Sequence, residues 1–274
     1  MSEVGSGPKK LALLGGGNMG EALLGGLLDR GWCAPTDVIV AEPDATRRAV
    51  LAERYGVTCV GEVADAAAQG VIVAVKPQHV ESVCEAIAPE VERVLSVAAG
   101  ITIANIERWL ARQPRTAPVA VARSMPNTPA MVGFGASGLA GGTHADPSDV
   151  GWARSILESV GIVEVVSEIQ LDAVTGVSGS GPAYLFLVAE AMIDGGVLQG
   201  LPRSVAVNLV AQTIRGAGEM LIREGDRAAT LRANVTSPGG TTAAGLRALE
   251  LHGARFAFIE AVSHATARGR ELGS

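Results

Sequence analysis

Ser237-Pro238-Gly239-Gly240-Thr241-Thr242, opening the helix-like run Ala243–Leu251, has the composition of a small-anion site. Two glycines let backbone approach a ligand closely. The first N–H groups of a helix lack intrahelical partners and carry partial positive charge, which suits a carboxylate or a phosphate. A second segment of this kind lies at the other end of the chain. Gly15-Gly16-Gly17-Asn18-Met19-Gly20 follows the apolar run Leu11–Leu14 and precedes the helical stretch Glu21–Arg30. It fits G-x-G-x-x-G in the strand–turn–helix setting that gives this spacing its meaning: a tight turn at Gly15, close approach to a pyrophosphate at Gly17, and close helix–strand packing at Gly20. One site would hold a cofactor, the other a substrate.

The elements that must position these loops change character along the 274 residues. In the first half, apolar runs at Leu11–Leu14, Val38–Ala41, Val71–Val75, Val94–Ala98, Val119–Ala122 and Gly161–Val166 alternate with helical stretches such as Ala45–Tyr55. Continuous apolar runs suit parallel strands covered on both faces, so this half predicts a Rossmann-type, doubly wound α/β sheet. After Ser167 the strand signal stops. Leu185, Val188, Ala189 and Met192 are spaced for a helix, as are Val210, Ile214, Ala217 and Leu221, with Pro202 suited to a first helical position. The division is a loose tail over 1–9, a dinucleotide-binding domain over 10–166, and an all-α dimerisation and substrate domain over 167–274. Ala183–Ile193 is apolar nearly all round, broken only by Glu190. So small a helical domain offers few partners for that surface, which predicts a subunit interface there.

Composition narrows the function. The net charge of −6, with no basic stripe among aromatics, argues against nucleic acid. No apolar run reaches the ~18 residues a membrane span requires, and Met1–Lys10 has no signal core, so a cytoplasmic protein is expected. Cys33, Cys59 and Cys84 form no C-x-x-C pair, and His79, His144, His252 and His264 are scattered, so no metal site is expected.

Around the first loop, Glu42 ends the second strand, where an acidic residue binds a ribose 2′-hydroxyl and favours NAD. Arg47 and Arg48 lie just beyond and suit a 2′-phosphate, which favours NADP; the two signals conflict. Ala74-Val75-Lys76-Pro77, Val97-Ala98-Ala99-Gly100 and Met125-Pro126-Asn127-Thr128-Pro129 end further strands at the same edge, the usual ligand crevice of such sheets. Lys76 could face cofactor phosphate or ribose, and the small residues after Val97 leave room for a nicotinamide ring.

Four segments resemble the pyrroline-5-carboxylate reductase family in order and spacing. They are Val75-Lys76-Pro77, Met125–Pro129, Ser178-Gly179-Ser180-Gly181-Pro182-Ala183-Tyr184, and Val235–Thr242. The resemblance runs from about Leu11 to Leu272. It implies a Rossmann-type domain followed by a helical domain that forms homodimers, often in rings of dimers, with the carboxylate cradle supplied by the partner subunit. It implies cofactor contacts at Gly15, Gly16, Gly17, Asn18, Met19, Gly20, Glu42, Ala74, Val75, Lys76, Pro77, Val97, Ala98 and Ala99, with Asn234 and Glu168 at further cofactor-side positions. Substrate contacts fall on Ser237, Gly239, Gly240, Thr241 and Thr242. The sequence departs from the family at Glu42, where many members carry a small polar residue, and at Gly61, where some carry asparagine.

The activity implied is reduction of 1-pyrroline-5-carboxylate to proline by hydride from NADPH, with NADH as the alternative. The N–H groups of Gly239, Gly240 and Thr241 would hold the ring carboxylate, and the Thr242 hydroxyl would bond the ring nitrogen and relay a proton. The lysines are Lys9, Lys10 and Lys76 only, so the helical domain lacks the lysine that β-hydroxyacid dehydrogenases use there. A reductase of another small imine or β-hydroxy acid, and a non-catalytic dinucleotide sensor, are the competing readings.

Overall fold

The computed structural model describes residues 9–223 and 227–273. The expected loose tail therefore lies outside the described residues except for Lys9, which already belongs to the first strand.

Eight strands form one sheet in the order β3-β2-β1-β4-β5-β6-β7-β8. They are β1 (Lys9–Leu14), β2 (Val38–Ala41), β3 (Thr58–Val60), β4 (Ala68–Val73), β5 (Arg93–Ser96), β6 (Ala120–Met125), β7 (Gly135–Gly141) and β8 (Gly161–Val165). All neighbours are parallel except β6 and β7. The apolar runs thus lie in strands as expected, and the doubly wound reading holds for β1–β6. The antiparallel β7 is new. Its sequence, Gly-Ala-Ser-Gly-Leu-Ala-Gly, has little strand propensity, and glycine normally weakens a strand. Packing is what accepts it: a Cβ on Gly138 would come within 2.9 Å of Leu171 and Val174.

Two apolar layers enclose the sheet. One includes Leu23, Leu24 and Leu27 of α1 (Asn18–Asp29) and Leu51 of α2 (Ala45–Tyr55). The other includes Val80, Val83 and Cys84 of α3 (Val80–Ala86) and Ile103, Ile106 and Trp109 of α4 (Ile103–Leu110). Each fully buried leucine contributes about 1.5–3 kcal/mol of transfer free energy, so these few side chains suffice to fix α1 and α2 against the strands whose ends carry the site. On the α1 side, α5 (Pro147–Leu157) adds Ala153, Ile156 and Leu157 behind an Asp146/Asp149 capping box.

The strand signal ends at Val165, yet the compact units do not divide there. The first unit takes in residues up to Ser180 and, from the chain's other end, His264 onward; the second is Gly181–Ser263. The reason is local packing: α6 (Leu171–Val174) seats Leu171, fully buried, under Gly138 of β7. A π-helical turn, Thr175–Gly179, follows it.

The second unit consists of α7 (Gly181–Leu198), α8 (Arg203–Arg223), α9 (Ala228–Asn234), α10 (Thr241–Leu251) and the start of α11 (Ala254–Gly273). Pro202 stands one residue ahead of α8 and its carbonyl accepts from Ala206 N, so it serves the helix entrance without being its first residue. Among the described residues of this unit, Ala206 and Val210 alone are buried. Phe186, Leu187, Leu198, Ile222 and Leu251 are each at least 67% exposed. So large an apolar surface on one chain marks an interface, and it includes the all-apolar helix singled out from sequence. The stretch Glu168–Leu198 is also long and apolar enough to cross a membrane by length and composition, which corrects the expectation that no segment would be. Its scattered Gly, Ser and Asp break the apolar runs without lowering the average far.

Candidate active site

The glycine-rich turn is fixed from three sides. Gly15 N donates to Ala41 O at 2.9 Å, and Gly15 has φ +100°, a conformation that favours glycine. A Cβ on Gly20 would stand 2.1 Å from Gly15 O, so α1 can approach β1 this closely only without a side chain there. Gly16 is constrained as well, since its Cβ would meet Leu51 at 2.5 Å. Gly17 differs: a Cβ there would meet nothing within 4 Å. The space in front of Gly17 is open, and α1 begins behind it with no side-chain cap on its N–H groups. Asn18 is exposed and Met19 half-buried in the first turn. An open backbone cradle before an uncapped helix start suits a pyrophosphate.

Glu42 and the arginines form a network that the sequence did not reveal. Glu42 Oε2 accepts from Gly16 N at 2.8 Å and Oε1 accepts from Asp44 N at 3.0 Å. Asp44 caps α2, accepting from Thr46 N and Arg47 N at 2.8 and 3.1 Å. Arg47 Nε donates to Gly16 O at 2.6 Å, and its Nη2 pairs with Glu21. Arg48 Nη1 donates to the carbonyls of Glu42 and Pro43, both at 2.8 Å, and its guanidinium lies beside Gly61. Burial works to raise the Glu21 carboxyl, but the hydrogen bonds from Arg47 and Tyr55 and the charge of Arg54 outweigh it and hold the group below its ordinary value. The two arginines expected at a 2′-phosphate are thus both engaged within the chain.

The remaining edge loops are pinned by backbone bonds from one strand end to the next. Ala74 N donates to Leu14 O at 2.8 Å and Val97 N to Val73 O at 3.0 Å. Ala74 and Val75 are half-buried, while Lys76 and Pro77 are exposed at the start of a 3-10 turn. Ala98 is buried and Ala99 exposed, so the loop after β5 presents a small side chain outward. Asn127, nearly buried, explains the rigidity of Met125–Pro129: its Nδ2 donates to Ser178 O at 3.0 Å and its Oδ1 accepts from Ala136 N at 2.9 Å. Two distant motifs therefore meet through one amide. Glu168 braces the protein interior, because its Oε1 accepts from Ile103 N at 2.7 Å and from Arg123 Nη1 at 2.9 Å. Arg123 was not singled out from sequence, where it reads as one polar residue in an apolar strand.

In the second unit, Ser237–Gly240 closes a tight turn, with Gly240 N donating to Ser237 O at 3.1 Å. Pro238 and Gly239, the latter at φ +68°, fill the central positions as a type II turn demands. A Cβ on Gly240 would lie 2.3 Å from Ser237 Oγ. Helix α10 starts at Thr241, two residues earlier than its apolar run suggested, with Gly240 as an N-cap that offers no side chain. Its first internal bond runs from Ala244 N to Gly240 O, which leaves the N–H groups of Thr241, Thr242 and Ala243 without intrahelical partners. Gly240 N–H, expected to point at a ligand, is instead spent on the turn. Thr241 is exposed and Thr242 half-buried; Asn234 is exposed at the end of α9.

No group of three or more His, Cys, Asp or Glu that could hold a metal exists among the described residues. The cysteines are free. Burial raises all three thiols, that of Cys84 to about 12.

Residues 168–272 match the family described as pyrroline-5-carboxylate reductase dimerisation, and residues 10–100 match NADP oxidoreductase coenzyme F420-dependent. The chain is 41% identical to a pyrroline-5-carboxylate reductase from Synechocystis sp. over 268 residues, covering 96% of this chain and 98% of that protein. Among solved structures it is similar to a pyrroline-5-carboxylate reductase from Coxiella burnetii, with TM-score 0.88, 34% identity and coverage of 98% and 100%. It is also similar to pyrroline carboxylate reductase of Plasmodium falciparum with NADP bound, with TM-score 0.82, 29% identity and coverage of 97% and 98%.

Proposed function

The chain belongs to the pyrroline-5-carboxylate reductase family, and on that footing we propose how its residues divide the work. It is an NAD(P)H-dependent oxidoreductase that converts 1-pyrroline-5-carboxylate to L-proline, the last step of proline synthesis, and it is a homodimer. The bound reduced nicotinamide supplies a hydride to the C=N carbon of the cyclic imine. The turn at Gly15–Gly20 holds the cofactor pyrophosphate, Ala74–Pro77 and Val97–Ala99 border the ribose and nicotinamide, and Asn234 adds a contact from the helical domain. The substrate carboxylate rests on the start of α10, with Ser237 and Gly239 shaping the turn behind it. Thr241 and Thr242 N–H groups are the donors, since Gly240 N–H is already bonded. The Thr242 hydroxyl, which has no hydrogen-bond partner among the described residues, bonds the ring nitrogen and passes its proton to or from water. A protonated imine accepts hydride readily, so no strong side-chain acid is required, in keeping with a helical unit that holds no lysine.

The observation that carries this reading is the uncapped start of α10 behind a turn whose glycines are fixed by its own geometry. The apolar face of α7 meets the second copy, and the cradle of one protomer serves the other's cofactor. We place the enzyme in the cytoplasm, in rings of dimers, with neither nucleic acid nor membrane as partner; three free cysteines suit a reducing compartment. The test is a steady-state assay with 1-pyrroline-5-carboxylate and each reduced nicotinamide in turn. Imine-dependent oxidation of either is expected; oxidation of neither would overturn the proposal.

A further inference from the structure

We propose that Glu42 makes this enzyme select the cofactor with a free adenosine ribose 2′-hydroxyl over its 2′-phosphorylated counterpart. This rests on the dinucleotide reading above. Three features of the loop between β2 and α2 converge on it. The Glu42 carboxylate is aimed before any ligand arrives, because Gly16 N holds one oxygen and Asp44 N the other. Turning it away would leave two backbone donors unpaired, which the network resists. A carboxylate has about four acceptor sites; two are filled, so hydroxyls of a ribose can still donate to it.

The second feature is the start of α2. A helix N-terminus directly beyond Glu42 would be the natural rest for a 2′-phosphate, but the Asp44 side chain already takes Thr46 N and Arg47 N. A phosphate there would face two carboxylates. The third is the commitment of the cations. Arg47 is fastened to Gly16 O and Glu21, and Arg48 Nη1 to the carbonyls of Glu42 and Pro43. Recruiting Arg47 to a phosphate means breaking its bond to the glycine-rich turn, and recruiting Arg48 through Nη1 means giving up the carbonyls that hold the Glu42–Pro43 loop. The pairing of Arg47 with Glu21 also neutralises charge that the sequence alone would credit to the cofactor.

The test is a binding titration, independent of turnover, of the full-length dimer with NAD⁺ and NADP⁺, and with AMP and adenosine 2′,5′-bisphosphate as fragments. The wild-type protein is expected to bind NAD⁺ roughly tenfold or more tighter than NADP⁺, as like-charge repulsion near a surface of intermediate dielectric predicts. The fragments should follow the same order. Glu42→Ser should narrow or invert the ratio, and Glu42→Gln, which keeps an acceptor but removes the charge, should fall between. Thermal melts of both variants check that the loop still folds; should either fail to fold, the wild-type ratio decides alone. Equal or tighter binding of NADP⁺ by the wild type, or an unchanged ratio in a folded Glu42→Ser, would overturn the proposal. Neither result bears on imine reduction, which the steady-state assay tests separately.

Discussion

Removing the Glu168 carboxylate tests whether the loop between β5 and α4, proposed above to border the nicotinamide, is held from behind. One oxygen of Glu168 accepts both Arg123 Nη1 at 2.9 Å and Ile103 N at 2.7 Å. Arg123 is buried within β6, while Glu168 retains about a third of its exposure. Each hydrogen bond to a charged group is worth about 1.5–3 kcal/mol, and orphaning a fully buried charge costs about 3–5 kcal/mol. Water reaching the partly open Glu168 position will solvate Arg123 in part, so the lower figure applies: about 2 kcal/mol for Glu168→Ala. For a chain of this size that is a fall in melting temperature of roughly 4–8 °C. Melts should be run at fixed protomer concentration, because dimerisation contributes to apparent stability. The same variant frees Ile103 N and loosens the segment that follows Val97–Ala99, so KM for the reduced nicotinamide should rise more than kcat falls. A double-mutant cycle with Arg123→Met isolates the pair. A melting temperature within about 1 °C of wild type, or strictly additive effects in the cycle, would rule out the brace.

Thr242→Ala should lower the rate about 5- to 150-fold, from loss of one hydrogen bond worth about 1–3 kcal/mol, and Thr242→Ser should restore most of it; unchanged turnover in the alanine variant would remove Thr242 from the mechanism. Phe186→Asp should prevent assembly, read by sedimentation as loss of the dimer together with loss of helical signal, because the second unit buries only Ala206 and Val210 by itself among its described residues; a well-folded monomer would contradict this. Gly20→Val should abolish cofactor binding in a titration, since backbone stands 2.1 Å from its Cβ position; binding within twofold of wild type would show that α1 can move aside. Cys84, with its thiol raised to about 12 by burial, holds only about one part in ten thousand as thiolate at pH 8, so iodoacetamide should label it in the unfolded chain and not in the native one; equal rates in both would refute its burial.

The geometry of the glycine-rich turn at Gly15–Gly20 was legible because its requirements are local. Gly15 and Gly20 are needed for a turn and a close approach that involve immediate neighbours, and their spacing states both. The Ser237–Gly240 turn was legible for the same reason, although the use of Gly240 N–H within the turn required the geometry. Arg47 shows where such reading stops. Its position beyond β2 suggested a phosphate ligand, but Glu21, on another helix, claims it. Strand β7 stayed hidden because its small residues carry no periodic signal; only Leu171 and Val174, brought in from later in the chain, make a glycine-rich strand the right fit.

The order of the two halves, the glycine turns and the apolar helix that a single chain could not cover are all written in the linear string of residues. They follow from hydrophobic spacing and backbone freedom, which near neighbours along the chain settle among themselves. The folded arrangement was needed to show which charges are spent on one another, that Glu168 braces Arg123, and where the first unit ends. Those outcomes depend on groups far apart in the chain arriving at hydrogen-bonding distance, and no local spacing encodes that arrival.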